Sequence, residues 1–142
     1  YTTLFRSTAD GGVNTDYPLF RLADVYLMMA EAVVRGGTGS DKGTVLGYIN
    51  KLQERAYGDD SHNKAEADLT QDFILKERAR ELYWEGYRRT DLIRFGMFTT
   101  DKYLWQWKGG EKGGVAVNSK YNIYPIPATE LTANPNLYNE NY

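Results

Sequence analysis

The chain has no cysteine and a single histidine, His62. The first absence removes disulfides, thiolate metal sites and cysteine nucleophiles together. With one histidine, placed in a polar connection, neither a Ser/His/Asp set nor a metal-ligand spacing can be assembled. No catalytic residue, no metal ligand and no cofactor is therefore assigned. Basic residues are not in excess: 17 Lys and Arg against 19 Asp and Glu leave a net charge of −2. That balance supplies no positive field to hold nucleic acid or an anionic membrane surface. No stretch approaches the ~20 apolar residues that span a bilayer, and no secretory leader is visible. The sequence opens on Tyr1 in mid-pattern and reads as a fragment of a longer protein.

What the chain has in quantity is aromatic side chains, 14% of its 142 residues, with twelve Tyr and three Trp. Such residues join a large apolar face to a polar tip, which suits both wet recognition surfaces and the edges of a helical core. The length supports one domain with a real core.

Helical periodicity dominates the first two thirds. Residues 1–17 are polar and broken by Asp10-Gly11-Gly12, hence irregular or extended. A first helix is predicted from about Pro18 to Arg35, with Phe20, Ala23, Leu27, Ala30 and Val34 in one stripe and Leu22, Tyr26, Met29 and Val33 in the next. Arg21, Asp24, Glu31 and Arg35 would form its narrow polar strip. A helix so broadly apolar packs on two sides. Gly36-Gly37 ends it, and a second helix to about Ala56 buries Val45, Ile49, Leu52 and Ala56. The pair has the dimensions of one tetratricopeptide-like hairpin. A polar connection, 57–69, carries His62, which is given no role.

A third helix is expected from Thr70, its N-cap, to Gly86, with Leu75, Ala79 and Leu82 inward. Lys76 to Gly96 packs ten charged residues among Tyr83, Trp84, Tyr87 and Phe95. Glu77, Glu81 and Glu85 stack at four-residue steps, a repulsion that Arg78, Arg80, Arg88 and Arg89 would neutralise in an ion-pair network bracing the turn at Gly86. A pair of these glutamates at helical spacing meets the separation of glycosidase carboxylates. The adjacent arginines oppose that role, because they favour ionisation whereas a general acid needs a raised pKa. A short fourth helix covers about Arg89 to Phe95.

Residues 97–120 show little helical pattern and form a long aromatic and glycine-rich loop. Tyr103, Trp105 and Trp107 alternate, so an extended backbone would put all three on one face. The following glycines lack the strand–loop–helix context and Gly-Lys-Ser/Thr of a phosphate loop. Pro125 and Pro127 force an extended entry into a last helical turn, and the tail is laid across the body.

Four segments, in order, resemble the C-terminal part of the SusD/RagB family. They are Arg21 to Ala32, Tyr48 to Ala56, the charged run Lys76 to Gly96, and Tyr124-Pro125-Ile126-Pro127 to Leu131 with Asn134-Pro135-Asn136 and Tyr142. The resemblance covers roughly residues 17–142. It implies an all-α, SusD-like fold, mainly tetratricopeptide-like helical hairpins with long irregular loops, of which residues 1–142 are the C-terminal part. It also implies a non-catalytic, cell-surface glycan-binding role in Bacteroidetes, with delivery to a TonB-dependent, SusC-like outer-membrane transporter. The membrane would be reached only through an N-terminal lipid anchor upstream of this chain. On that reading Tyr103, Trp105 and Trp107 are the candidate glycan platform, with Gln106, Lys108 or Asn118 at its rim. The competing reading is a helical protein-docking scaffold whose aromatics cover the core and touch no ligand.

Overall fold

The computed structural model describes residues 19–139 and 142, and the chain divides into two compact units, residues 1–82 and 83–142. Residues 1–17 and the predicted helix start at Pro18 lie outside the described residues. No strand occurs among the described residues, as the all-α reading requires.

The first unit is built from α1 (Leu22–Val34), α2 (Lys42–Tyr57) and α3 (Gln71–Glu81). Caps fix the starts of the last two. The Asp41 carboxylate accepts from the Thr44 backbone N–H, and the Thr70 hydroxyl from that of Phe73, each satisfying an amide that the helix cannot. Gly58, at φ +85°, ends α2 in the left-handed region that glycine enters at no steric cost. The core is Leu27 from α1, Val45 and Ile49 from α2 and Ile74 from α3, all fully buried, with Tyr26 stacked on Tyr48 at 4.5 Å. The inward faces predicted for α2 and α3 hold at Val45, Ile49, Leu52, Leu75 and Leu82. Ala56 is exposed and Ala79 half-buried.

Helix α1 buries the middle of its predicted stripe, Ala23, Leu27 and Ala30, but adds two acids to that face. Asp24 and Glu31, expected on the polar strip, are buried, whereas Phe20 and Leu22 are 80% and 63% exposed. The cause is tertiary pairing. Arg78 of α3 reaches Asp24 with Nη1 2.8 Å from Oδ1, both side chains buried, and Arg35 holds Glu31 at 2.8 Å. Charge neutralised in place lets these acids share the inward face with the apolar stripe.

The ion-pair network also differs from expectation. Glu77 accepts from Gln53 of α2 at 2.6 Å and pairs with Arg80 at 2.5 Å. Glu81 is gripped by Arg21 and Arg55, each at 2.5 Å. Glu77 and Glu81 thus tie α3 to α1 and α2, with Arg80 neutralising Glu77 as expected. Arg21 also donates to the Glu81 carbonyl, one of the acceptors a continuing helix would use. Trp84, in the left-handed region at φ +67°, breaks the helical path before Gly86. In the connection after α2, His62 stacks on Tyr57 at 3.7 Å.

The second unit contains α4 (Arg88–Arg94) and α5 (Ala128–Ala133), with single 3₁₀ turns at Lys108–Gly110 and Ser119–Asn122. Between them the chain is irregular and closes by side chain to backbone bonds. Asn139 accepts from the Ile126 N–H at 2.8 Å and donates to its carbonyl at 3.2 Å. The Tyr142 hydroxyl donates to the Ile123 carbonyl at 2.7 Å, with that of Lys120 at 3.0 Å. The tail is thus laid back along residues 120–126.

Candidate functional site

A concavity of about 720 Å³ in the second unit opens among four stretches of chain: Arg89 and Phe98; Trp105 to Gly109; Val117 and Tyr121 to Pro125; and Tyr142. Its walls are aromatic and aliphatic except for two cations. Trp105 and Trp107 both line it, at 44% and 64% exposure. Tyr103 does not. It borders a smaller adjoining hollow of about 290 Å³, shared with Trp105, where the Arg88 guanidinium lies 4.6 Å over its ring.

The alternation predicted for the three aromatics is replaced by turns. Trp107 sits in the left-handed region at φ +68°, and Gly109, Gly110 and Gly114 follow with φ of +68°, +84° and +78°. A left-handed backbone is uncommon for any residue but glycine and costly for a bulky one. The loop is held in that form by backbone bonds, Lys108 N–H to the Trp105 carbonyl at 3.1 Å and Val115 N–H to the Lys108 carbonyl at 3.0 Å. The glycines allow the close approach. A Cβ on Gly114 would stand 2.4 Å from the Trp105 carbonyl oxygen. Rings support one another behind this turn: Phe98 stacks on Trp105 at 6.5 Å, and Tyr103 meets it tilted at 5.8 Å.

Lys108, expected at the rim, is buried, at 3% exposure. Its Nζ donates to the carbonyls of Tyr103 (2.7 Å) and Thr100 (3.1 Å) and lies 4.8 Å from the Trp105 ring centroid. The ammonium ties the two ends of the loop and fixes the indole from behind. Burial holds its pKa below the usual lysine value of 10.5. In the interval between that lowered value and 10.5 the unfolded chain binds the extra proton, so this group's contribution to stability rises with pH there. Urea unfolding at intervals from pH 8 to 11 should show that rise in the wild type minus Lys108→Met difference. A flat difference would mean that the ammonium is solvated.

Of the other rim residues, Asn118 is spent on capping its own turn, its carbonyl accepting from the Lys120 N–H at 2.9 Å, and Gln106 lies outside the concavity. Residue-level reading missed Arg89, Phe98, Tyr121, Ile123, Tyr124 and Tyr142 as wall residues. The Arg89 guanidinium lies 3.9 Å from the Tyr124 ring centroid and 5.2 Å from that of Phe98, and donates to the Tyr121 carbonyl at 2.5 Å. The density of Tyr in 121–142 was the one signal available, and no periodicity connects it to Trp105.

Among the described residues no group of acidic or histidine side chains could hold a metal ion, and no helix is long and apolar enough to cross a membrane. The second unit thus carries an open aromatic concavity on its loops. Comparison with known proteins identifies the family. A profile of the SusD family matches residues 3–142. The chain is 48% identical over 130 residues to the starch-binding protein SusD of Bacteroides thetaiotaomicron, covering 91% of this chain and 22% of that protein. It is 34% identical over 123 residues to a SusD-like protein of Formosa agariphila, and 34% over 95 residues to one of Bacteroides ovatus. These cover 82% and 64% of this chain, and 22% and 16% of the relatives. The chain belongs to the SusD family, and it spans about a fifth of the length of the curated relatives it matches.

Proposed function

We propose that this chain is part of a cell-surface protein that binds oligo- or polysaccharide without turning it over and hands it to a TonB-dependent, SusC-like outer-membrane transporter. The protein sits at the outer membrane, held by a lipid anchor outside this chain. The observation that carries the glycan reading is the open concavity lined by Trp105 and Trp107, the latter kept exposed on a left-handed backbone. Flat aromatic faces stack on the C–H side of a pyranose ring, and costly backbone at an exposed side chain is a pointer to function. The starch-binding relative supports the ligand class, and family membership supports the transporter and the surface location. Tyr103 has the lesser part, backing Trp105 from the adjoining hollow.

The test is calorimetric titration of the full-length protein with a panel of soluble polysaccharides, beside a Trp105→Ala/Trp107→Ala variant shown to be folded. Each stacked ring contributes of the order of 0.5–1.5 kcal/mol beyond its area, so the double variant should weaken binding about tenfold or more. Undiminished binding would remove these residues from the site.

A protein-docking role is the second reading, and one observation favours it. Leu19, Phe20, Leu22, Val25 and Met28 expose an apolar face on and just before α1, of the sort that marks interaction surfaces.

A further inference from the structure

The wall of the aromatic concavity is unusual in what it offers a ligand. Among its lining side chains there is no Asp, Glu, Asn, Gln, Ser, Thr or His. A neutral sugar presents hydroxyls that both donate and accept, and carboxylates and amide oxygens are the strong acceptors for their protons. Here the side-chain acceptors are only the phenolic oxygens of Tyr121, Tyr124 and Tyr142, the last already bonded to two carbonyls, beside the donors of Arg89, Lys108, Trp105 and Trp107.

The charge is equally one-sided. Arg89 has no carboxylate partner among the described residues. One N–H goes to the Tyr121 carbonyl and the group lies near the rings of Tyr124 and Phe98, which leaves donors of its five-donor fork unspent. Lys108 is buried in the wall with its ammonium spent on two carbonyls and the Trp105 ring, so its charge is felt but not compensated by an acid. Lys120 adds a third cation, 4.8 Å over the ring of Tyr142, which also lines the concavity. A hollow with cations, aromatic faces and no acid attracts an anion, and a guanidinium with free edges meets carboxylate or sulfate oxygens in matching geometry.

We infer that this concavity binds an anionic sugar, with the carboxylate of a uronic acid or a sulfate ester received by Arg89 and the pyranose ring lying on Trp105 and Trp107. This rests on the glycan reading above and narrows it from glycans in general to acidic ones.

The experiment is calorimetry on the full-length protein with three sets of oligosaccharides of matched length: neutral glucans, oligouronates and sulfated oligosaccharides. Wild type is measured in low and high salt, beside Arg89→Gln, Arg89→Lys and the Trp105→Ala/Trp107→Ala variant. A charge-assisted bond of this kind corresponds to roughly a ten- to hundredfold preference for one acidic set over neutral glucan. That preference should shrink in high salt, disappear in Arg89→Gln and persist in part in Arg89→Lys. Which acidic set wins distinguishes carboxylate from sulfate. Neutral glucan binding equally well, and lost in the tryptophan variant, would overturn the acidic assignment and leave the glycan reading standing. Acidic binding that ignores both salt and Arg89→Gln would also overturn it. No binding by any set would overturn both. Should Arg89→Gln fail to fold, the salt response of wild type with acidic against neutral ligand decides alone.

Discussion

Replacing Arg78 by Met is expected to destabilise the first unit by about 3–5 kcal/mol, the cost of leaving one member of a buried pair without its partner. Asp24 has a side chain 4% exposed and would be left facing core atoms, with the 2.8 Å contact to Arg78 gone. Domains of this kind hold only about 5–15 kcal/mol in all, so a large share would disappear in one substitution. The converse single change, Asp24→Leu, should be comparably harmful because it removes the carboxylate 2.8 Å from a buried guanidinium. The double variant Asp24→Leu/Arg78→Met should recover most of the loss, since well-packed apolar replacements of buried pairs are often neutral or better. Equilibrium urea unfolding of the four proteins gives the coupling directly. Additive losses would mean that the two side chains do not depend on each other.

The second large effect is expected at Gly114. Its φ of +78° is one that a side chain rarely adopts, and an added Cβ would stand 2.4 Å from the Trp105 carbonyl oxygen. The left-handed backbone alone costs about 1–2 kcal/mol for an L-residue. Relieving a backbone contact so short adds roughly 1–3 kcal/mol, as overpacking does. Gly114→Ala should therefore open the loop and release Trp105 from Lys108 and Phe98. Amide exchange across residues 104–115 should accelerate, while α1 to α3 keep their protection. Gly113→Ala is the control, since its Cβ would meet nothing within 4 Å. Equal exchange in wild type and Gly114→Ala would show that the turn yields without cost.

These two sites also mark where residue-by-residue reading succeeds and where it stops. Helices were legible because their signals are local. Thr70 and Asp41 cap, Gly36 and Gly58 punctuate, and Val45, Ile49 and Leu52 repeat with helical period. The apolar face of α1 was legible at Ala23, Leu27 and Ala30, but the burial of Asp24 and Glu31 was not. Asp24 and Arg78 are 54 residues apart, and their mutual neutralisation appears in no periodicity. A wheel that counts every charge as outward must then leave Asp24 and Glu31 in water. The same holds for Glu81, whose partners Arg21 and Arg55 come from before α1 and from α2.

In the candidate site, aromatic residue type singled out Tyr103, Trp105 and Trp107, of which Trp105 and Trp107 line the concavity. Their geometry was misjudged. Alternation supposes an extended chain, and the left-handed turn at Trp107, the glycines after it and the buried Lys108 fold the segment back instead. Composition, caps, periodicity and the ordered family segments determined by themselves that the chain is helical and belongs among SusD proteins, since each is a property of neighbouring residues. Tertiary structure decided which charges go inside and which aromatics share a wall. Both outcomes depend on desolvation and pairing between segments far apart in the chain, and those energies exist only once the segments meet.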